Sequence, residues 1–307
     1  MAILKRLQER SPVYTIVTLF AIFAAFPFFW ALITMFKRDP DLYNPANNPF
    51  LFAAGPTGEN VELILSNELG VSDIFLGFPS ILGLPRIGFS VEAPNYVGWL
   101  INTAFIGTIV VIITLIVAIP AAYSLARLAG RWGEQLGIGI FLCYLIPPTL
   151  LFIPLSRVVA ELGLQDNKWS LVLVYPAMTI PFCTWLLMGF LKSIPRDIEE
   201  QALVDGYSRL GAVFRTVIPL ALPGIVTVVV FAFAISTHEF IYALSFVSVS
   251  AEKTISVGVP TELIRGDVFR WQSLMAGAVI AAIPVALVYN FFIDRFVAGF
   301  TLGAVKG

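Results

Sequence analysis

Long apolar runs alternate with short polar stretches along this 307-residue chain. A bilayer crossing takes roughly 20 apolar residues. Six runs qualify: 13–36, 97–124, 135–160, 169–192, 219–247 and 273–297. They predict an all-α polytopic membrane protein with six transmembrane helices. Pro120 interrupts the second run and Pro147-Pro148 the third. Such breakers are tolerated where neighbouring helices satisfy the freed backbone groups. The proline pair predicts a break in the third helix, serving either a gate that flexes or packing alone. The fifth run is the least uniform, because Thr237-His238-Glu239 lies inside it.

The polar stretches divide the chain further. Residues 1–12 precede the first run, 37–96 form a long connection, 97–297 hold the remaining five runs, and 298–307 form a tail. Lys5, Arg6 and Arg10 precede the first run. A signal peptide has that opening too, but its apolar core is about 7–15 residues, so the longer 13–36 run is expected to be a retained span. The 37–96 connection carries Asp39, Asp41, Glu59, Glu62, Glu68, Asp73 and Glu92 against Lys37, Arg38 and Arg86. Its Asn44-Pro45-Ala46-Asn47-Asn48-Pro49 stretch predicts turns rather than a domain with its own core.

Lysine and arginine in short loops set orientation. With six spans, Arg127 and Arg131, then Lys192, Arg196, Arg209 and Arg215, then Arg295 and Lys306, fall on the same side as the N-terminus. That side is expected to be cytoplasmic, at both termini, with 37–96 outside.

The most polar helical stretch lies between the fourth and fifth runs, at 195–218. Pro195 suits a first helical turn, where its missing N–H costs nothing. Ser193 is then the expected N-cap. Asp197, Glu199 and Glu200 favour the positive end of the helix dipole. Gly206 suits a left-handed helix end, and Ser208 is expected to cap a second helix running toward Pro219. Ala202 and Leu203 supply an apolar strip beside these carboxylates. Such a strip suits docking into another protein's cleft; a solvated linker is the alternative.

Glu200-Gln201-Ala202, Gly206 and, thirteen residues later, Pro219 resemble the EAA loop of ABC importer permeases. Gln201 stands where that loop has alanine. The stretch from Tyr144 to Glu200 and the ending Phe296–Gly307 are similar to carbohydrate-uptake permeases of the maltose type. The resemblance implies a type I ABC importer permease fold with a cytoplasmic coupling-helix loop, in the cell inner membrane. It implies an ATPase subunit dimer, a second permease subunit and an extracytoplasmic solute-binding protein as partners. Glu199, Glu200, Ala202, Asp205 and Gly206 become the expected ATPase-coupling residues. The chain has no Gly-x4-Gly-Lys-Ser/Thr loop. ATP and Mg are therefore expected on the partner, with no cofactor bound by this chain.

Composition agrees with a bilayer protein. Apolar residues make up 58% and charged residues 13%, against about 25% charged in soluble domains. A formal net charge of -1 gives no basic field for nucleic acid. The single histidine excludes a multi-histidine metal site, and scattered acids suggest no catalytic centre. Cys143 and Cys183 are expected to be buried, small and unpaired.

Ionisable residues in a membrane are functional candidates. His238 and Glu239 are therefore candidates for the substrate path, or for a structural interhelical contact. In the family a polar run at this place lies at the subunit core. Asn102, Tyr144 and Trp185 are further candidates for that path, and Asn290 a weaker one. Packing competes for each of them, and for Asn102 a bond to a neighbouring helix. An ion-gradient-driven secondary transporter is the competing class. It calls for intramembrane charges and repeated halves, of which the sequence offers few.

Overall fold

The computed structural model describes residues 2–80, 85–265 and 268–304. In chain order it contains α1 (Ala2–Thr34), α2 (Asp39–Tyr43), α3 (Glu59–Leu65), β1 (Val71–Phe78), β2 (Ile87–Pro94) and α4 (Asn95–Tyr123). There follow α5 (Trp132–Tyr144), α6 (Pro148–Glu161), α7 (Trp169–Val174), α8 (Pro176–Ser193), α9 (Arg196–Val204) and α10 (Arg209–Ala212). The remainder is α11 (Ile218–Leu220), α12 (Leu222–His238), α13 (Ile241–Phe246), α14 (Ile255–Leu263), β3 (Ile264–Arg265), β4 (Val268–Phe269) and α15 (Trp271–Ala304). Two compact units result. One runs to Gly70 and includes Val259–Ile283; the other comprises Val71–Gly258 and the chain from Pro284. The predicted 37–96 connection is thus shared between them.

In the first unit, α1 turns its apolar side chains outward over 13–29, with Phe23 76% exposed. A helix this apolar and this bare is solvated by lipid rather than water. Beyond it the chain is tied down by polar groups. The Asn60 amide donates to Met35 O and Lys37 O, each at 3.0 Å. Lys37 is buried, donates to Pro49 O and lies 5.5 Å from the Trp30 ring centroid. Gln272 Nε2 donates to Asp39 Oδ1 at 2.8 Å. Where the sequence predicts turns, these bonds hold α2 and α3 in place. A hollow of about 480 Å³ opens beside them, lined by Lys37, Arg38, Asp39, Thr57, Glu59 and Asn60 among others.

The second unit begins with an antiparallel hairpin, β1 against β2, also unforeseen. Gly77 faces Gly88 across the ladder, where a Cβ on Gly77 would lie 2.2 Å from Ile87 O. The indole of Trp169 donates to Gly77 O at 2.7 Å and packs on Phe78 at 4.5 Å.

Behind the hairpin, α4, α8 and α12 form the core. Ala118, Ala122, Cys183, Leu187, Val228 and Ala232 are buried among them. Small residues let the helices close up, as in membrane bundles. A Cβ on Gly224 would meet Phe190 Cγ at 2.6 Å, and Thr114 and Thr179 hydroxyls bond at 2.7 Å in the buried interior. A second cluster around Tyr175, Leu171, Tyr242 and Val257 extends this core.

Among the described residues, three helical segments are long and apolar enough to span a bilayer: Pro12–Thr34, Asn95–Leu128 and Trp169–Ser193. Two bent pairs raise the number to five. The third predicted run breaks between Tyr144 and Pro148, and α5 meets α6 at 85°. Proline at 148 cannot donate to the preceding turn, so the expected break is present. The fifth is also divided: α10–α11 meets α12 at 73°, and α12 stops at His238. Both cysteines are free, but Cys143 is exposed, contrary to expectation, because α5 leaves that face uncovered. The tail residues 305–307 lie outside the described residues.

Candidate functional site

The 195–218 loop folds as a helix, a glycine turn and a second helix. Ile194 and Pro195 are extended, with ψ of 125° and 138°. Proline therefore acts as the N-cap of α9 instead of entering its first turn. Ser193 closes α8, donating its hydroxyl to Phe190 O at 2.7 Å, so it is not the predicted cap. At the other end Gly206 has φ +89°, its N–H donates to Leu203 O at 3.1 Å, and Tyr207 N–H donates to Ala202 O at 3.1 Å. This pair of bonds is a Schellman closure, which requires the left-handed residue. Ser208 then caps α10 as expected, accepting from Gly211 N–H at 3.2 Å. The second helix continues through a π-type turn, Val213–Val217, to Leu220.

The two faces of this pair differ. Ala202 is buried at 4% exposure, so it packs inward and does not join Leu203 in the predicted strip. The helical phase places four other apolar side chains outside with Leu203: Val204 at 86% exposure, Tyr207, Leu210 and Phe214. Glu200 and Asp205 are exposed beside them.

Glu199 points the other way. It accepts a hydrogen bond from the Tyr123 hydroxyl and lies 3.6 Å from Arg127 Nε. Arg127 also donates to Ile194 O at 2.8 Å. Tyr123 and Arg127 sit at the end of α4, where the helix passes into a π-type turn, Ser124–Leu128. The predicted set of five is thus split between an inward group, Glu199 and Ala202, and an outward group, Glu200 and Asp205, joined by the Gly206 turn.

The substrate-path candidates are not gathered into one site. Asn102 is wholly buried, donating to Ala251 O at 2.8 Å and Lys253 O at 3.0 Å and accepting from Lys168 Nζ at 2.5 Å. Its amide is committed to packing. Glu239 accepts from Tyr175 OH at 3.0 Å, Tyr242 N–H at 3.0 Å and Ala243 N–H at 3.1 Å. It caps α13, which favours the structural alternative. His238 is exposed, its Nδ1 2.8 Å from Ala234 O. Tyr144 and Trp185 belong to one aromatic cluster through Phe141 and Phe182, with Phe141–Trp185 and Tyr144–Phe182 centroids at 4.6 and 5.1 Å. Asn290 is exposed on α15.

Residues 118–301 match the family described as binding-protein-dependent transport system inner membrane component. This chain belongs to that family. The permease is 35% identical over 210 residues to the sulfoquinovosyl glycerol transport system permease protein SmoH of Agrobacterium fabrum, covering 68% of this chain and 73% of that one. It is 27% identical to the trehalose/maltose transport system permease protein MalG of Thermococcus litoralis, over 94% of each. Its fold resembles a bacterial ABC transporter involved in the import of the acidic polysaccharide alginate, with a TM-score of 0.68, 18% identity, and 95% and 98% of the two chains covered. The permease is accordingly a multi-pass membrane protein of a transport system, as the EAA-like loop implied.

Sequence inspection singled out neither Tyr123 nor the buried Lys168. Lys168 Nζ lies 3.6 Å from Glu252 Oε2, tying the start of α7 to the segment before α14. Burial lowers its pKa, and the Glu252 carboxylate pulls it back up. In sequence both residues look like ordinary interfacial groups, and nothing local reveals their partners.

Proposed function

We propose that this permease forms, with a second permease subunit, the path for a sugar or sugar-like solute, driven by ATP hydrolysis on a partner ATPase. Solute arrives on an extracytoplasmic binding protein. ATP and Mg stay on the ATPase dimer, and the 195–218 loop is the coupling element. The carrying observation is the exposed apolar face of Leu203, Val204, Tyr207, Leu210 and Phe214 beside Glu200 on a helix pair with closed ends. An exposed patch of this kind marks a protein contact.

Six spans follow if each bent pair crosses once and α15, apolar over Trp271–Leu287, supplies the sixth. The contact of Arg127 with Glu199 sets the second-to-third connection beside the coupling loop. Both carry arginines, which supports a cytoplasmic location. A sugar-like substrate is supported by the glycoside and disaccharide names of the relatives. Proteoliposomes holding the complete complex supply the test. Uptake should need internal ATP and loaded binding protein; uptake on an ion gradient without ATP would refute the proposal.

A further inference from the structure

The coupling loop is continuous in the backbone with α8 through Ile194-Pro195 and with α12 through α10–α11. The backbone joins it to α4 indirectly, by way of α5–α8, although α4 packs against both α8 and α12 in the core. Among the described residues, the direct polar contacts between the loop and the end of α4 each run through a side chain. Tyr123 donates to Glu199, Arg127 Nη2 donates to Ile194 O at 2.8 Å, and Arg196 Nη2 reaches Ala126 O at 3.4 Å. The central pair, Arg127 Nε and Glu199 Oε2, is almost dry, with side chains 6% and 12% exposed. At 3.6 Å it is longer than a hydrogen bond, and Arg127 Nε is buried without a hydrogen-bond partner. A buried unpaired donor beside a carboxylate gains by shortening that distance. The π-type turn carrying Arg127 is a local irregularity of the kind often found at functional sites.

We propose that Arg127 is a positioning residue for energy coupling. It clamps the 195–218 loop to the end of α4, so that displacement of the loop is passed to that helix, and the Nε–Glu199 contact closes under load. This rests on the coupling role proposed for the loop. Loss of the clamp lets the loop move while α4 lags, so ATP is hydrolysed with less solute moved.

The test is the ratio of solute uptake to ATP hydrolysed in proteoliposomes of the full complex, with bound ATPase measured in each preparation. Arg127→Met should lower the ratio by about fivefold or more, the size of a typical coupling between sites. Adding Glu199→Gln should lower it no further, since the two act as a unit. Arg127→Lys should recover part of the loss. Tyr123→Phe, which keeps both charges, should give a smaller fall in the same direction. An unchanged ratio in Arg127→Met would overturn the proposal, as would uptake and hydrolysis falling in proportion. If Arg127→Met releases the ATPase, Tyr123→Phe decides, and an unchanged ratio there overturns the clamp. Absence of ATPase from the unsubstituted complex would instead sink the coupling role itself.

Discussion

Replacing Glu252 by glutamine should destabilise the permease by leaving a buried ammonium without its counter-charge. The Lys168 side chain is 1% exposed, Glu252 16%, and their charged atoms are 3.6 Å apart. Coulomb attraction at that distance is about 4–5 kcal/mol with an effective dielectric near 20. Removing one partner of a buried pair costs about 3–5 kcal/mol. Asn102 Oδ1 still accepts from Lys168 at 2.5 Å, which favours the lower end. Glutamine also keeps an acceptor for Lys168 N–H, now 3.2 Å from Glu252 Oε2, so the backbone loses nothing. With Tm moving about 2 °C per kcal/mol in a chain of this size, about 3 kcal/mol lowers it by about 6 °C.

The sign with pH follows from the same group. Burial holds the Lys168 pKa below its ordinary value, and losing Glu252 lowers it further. The unfolded chain takes the proton more readily, with a pKa of about 10.4. The penalty is therefore complete below the folded pKa and disappears as pH rises through it toward the unfolded value. Thermal unfolding in detergent micelles should show the Glu252→Gln deficit shrinking between neutral and alkaline pH. Lys168→Met combined with Glu252→Gln should melt above Glu252→Gln alone, since it removes the unpaired charge. A Glu252→Gln protein melting with the unsubstituted one at neutral pH would refute the reasoning, as would a double variant that melts lower still.

Two further substitutions probe geometry. Gly206→Ala meets no atom within 4 Å, so its cost is the left-handed backbone alone, about 1–2 kcal/mol; the Tyr207 amide should exchange about tenfold faster, and Gly206→Asn should do less damage. Gly224→Ala drives a methyl to 2.6 Å from the Phe190 ring, whereas Gly137→Ala meets the flexible end of Met188 at 2.6 Å. The first should cost about 1–3 kcal/mol and melt clearly below the second; equal melting temperatures would contradict the packing described.

Local chemistry made the coupling loop legible. Gly206 and Ser208 occupy the turn and cap positions they predict, because each acts on its own backbone. Ser193 failed because Pro195, already extended, takes the cap itself. Ala202 was misplaced because its facing depends on which side of a nine-residue helix meets α4 and the second helix. The apolar runs marked the helices but not their bends, apart from the one Pro147-Pro148 announced. The hairpin and the buried Lys37 and Lys168 escaped for another reason. Their stabilising partners, Trp169, Pro49 and Glu252, are 12 or more residues away, and nothing in a single sequence ties them together.

The central claim is that a motor subunit grips the apolar face of the 195–218 loop. Cysteine at Val204, 86% exposed on α9, in a complex otherwise lacking accessible thiols, tests it most directly. During turnover a short bifunctional reagent should join this residue to the ATPase subunit, and the thiol should be shielded from a bulky maleimide. A thiol that labels freely in an actively transporting complex, with no cross-linked product, would contradict the account.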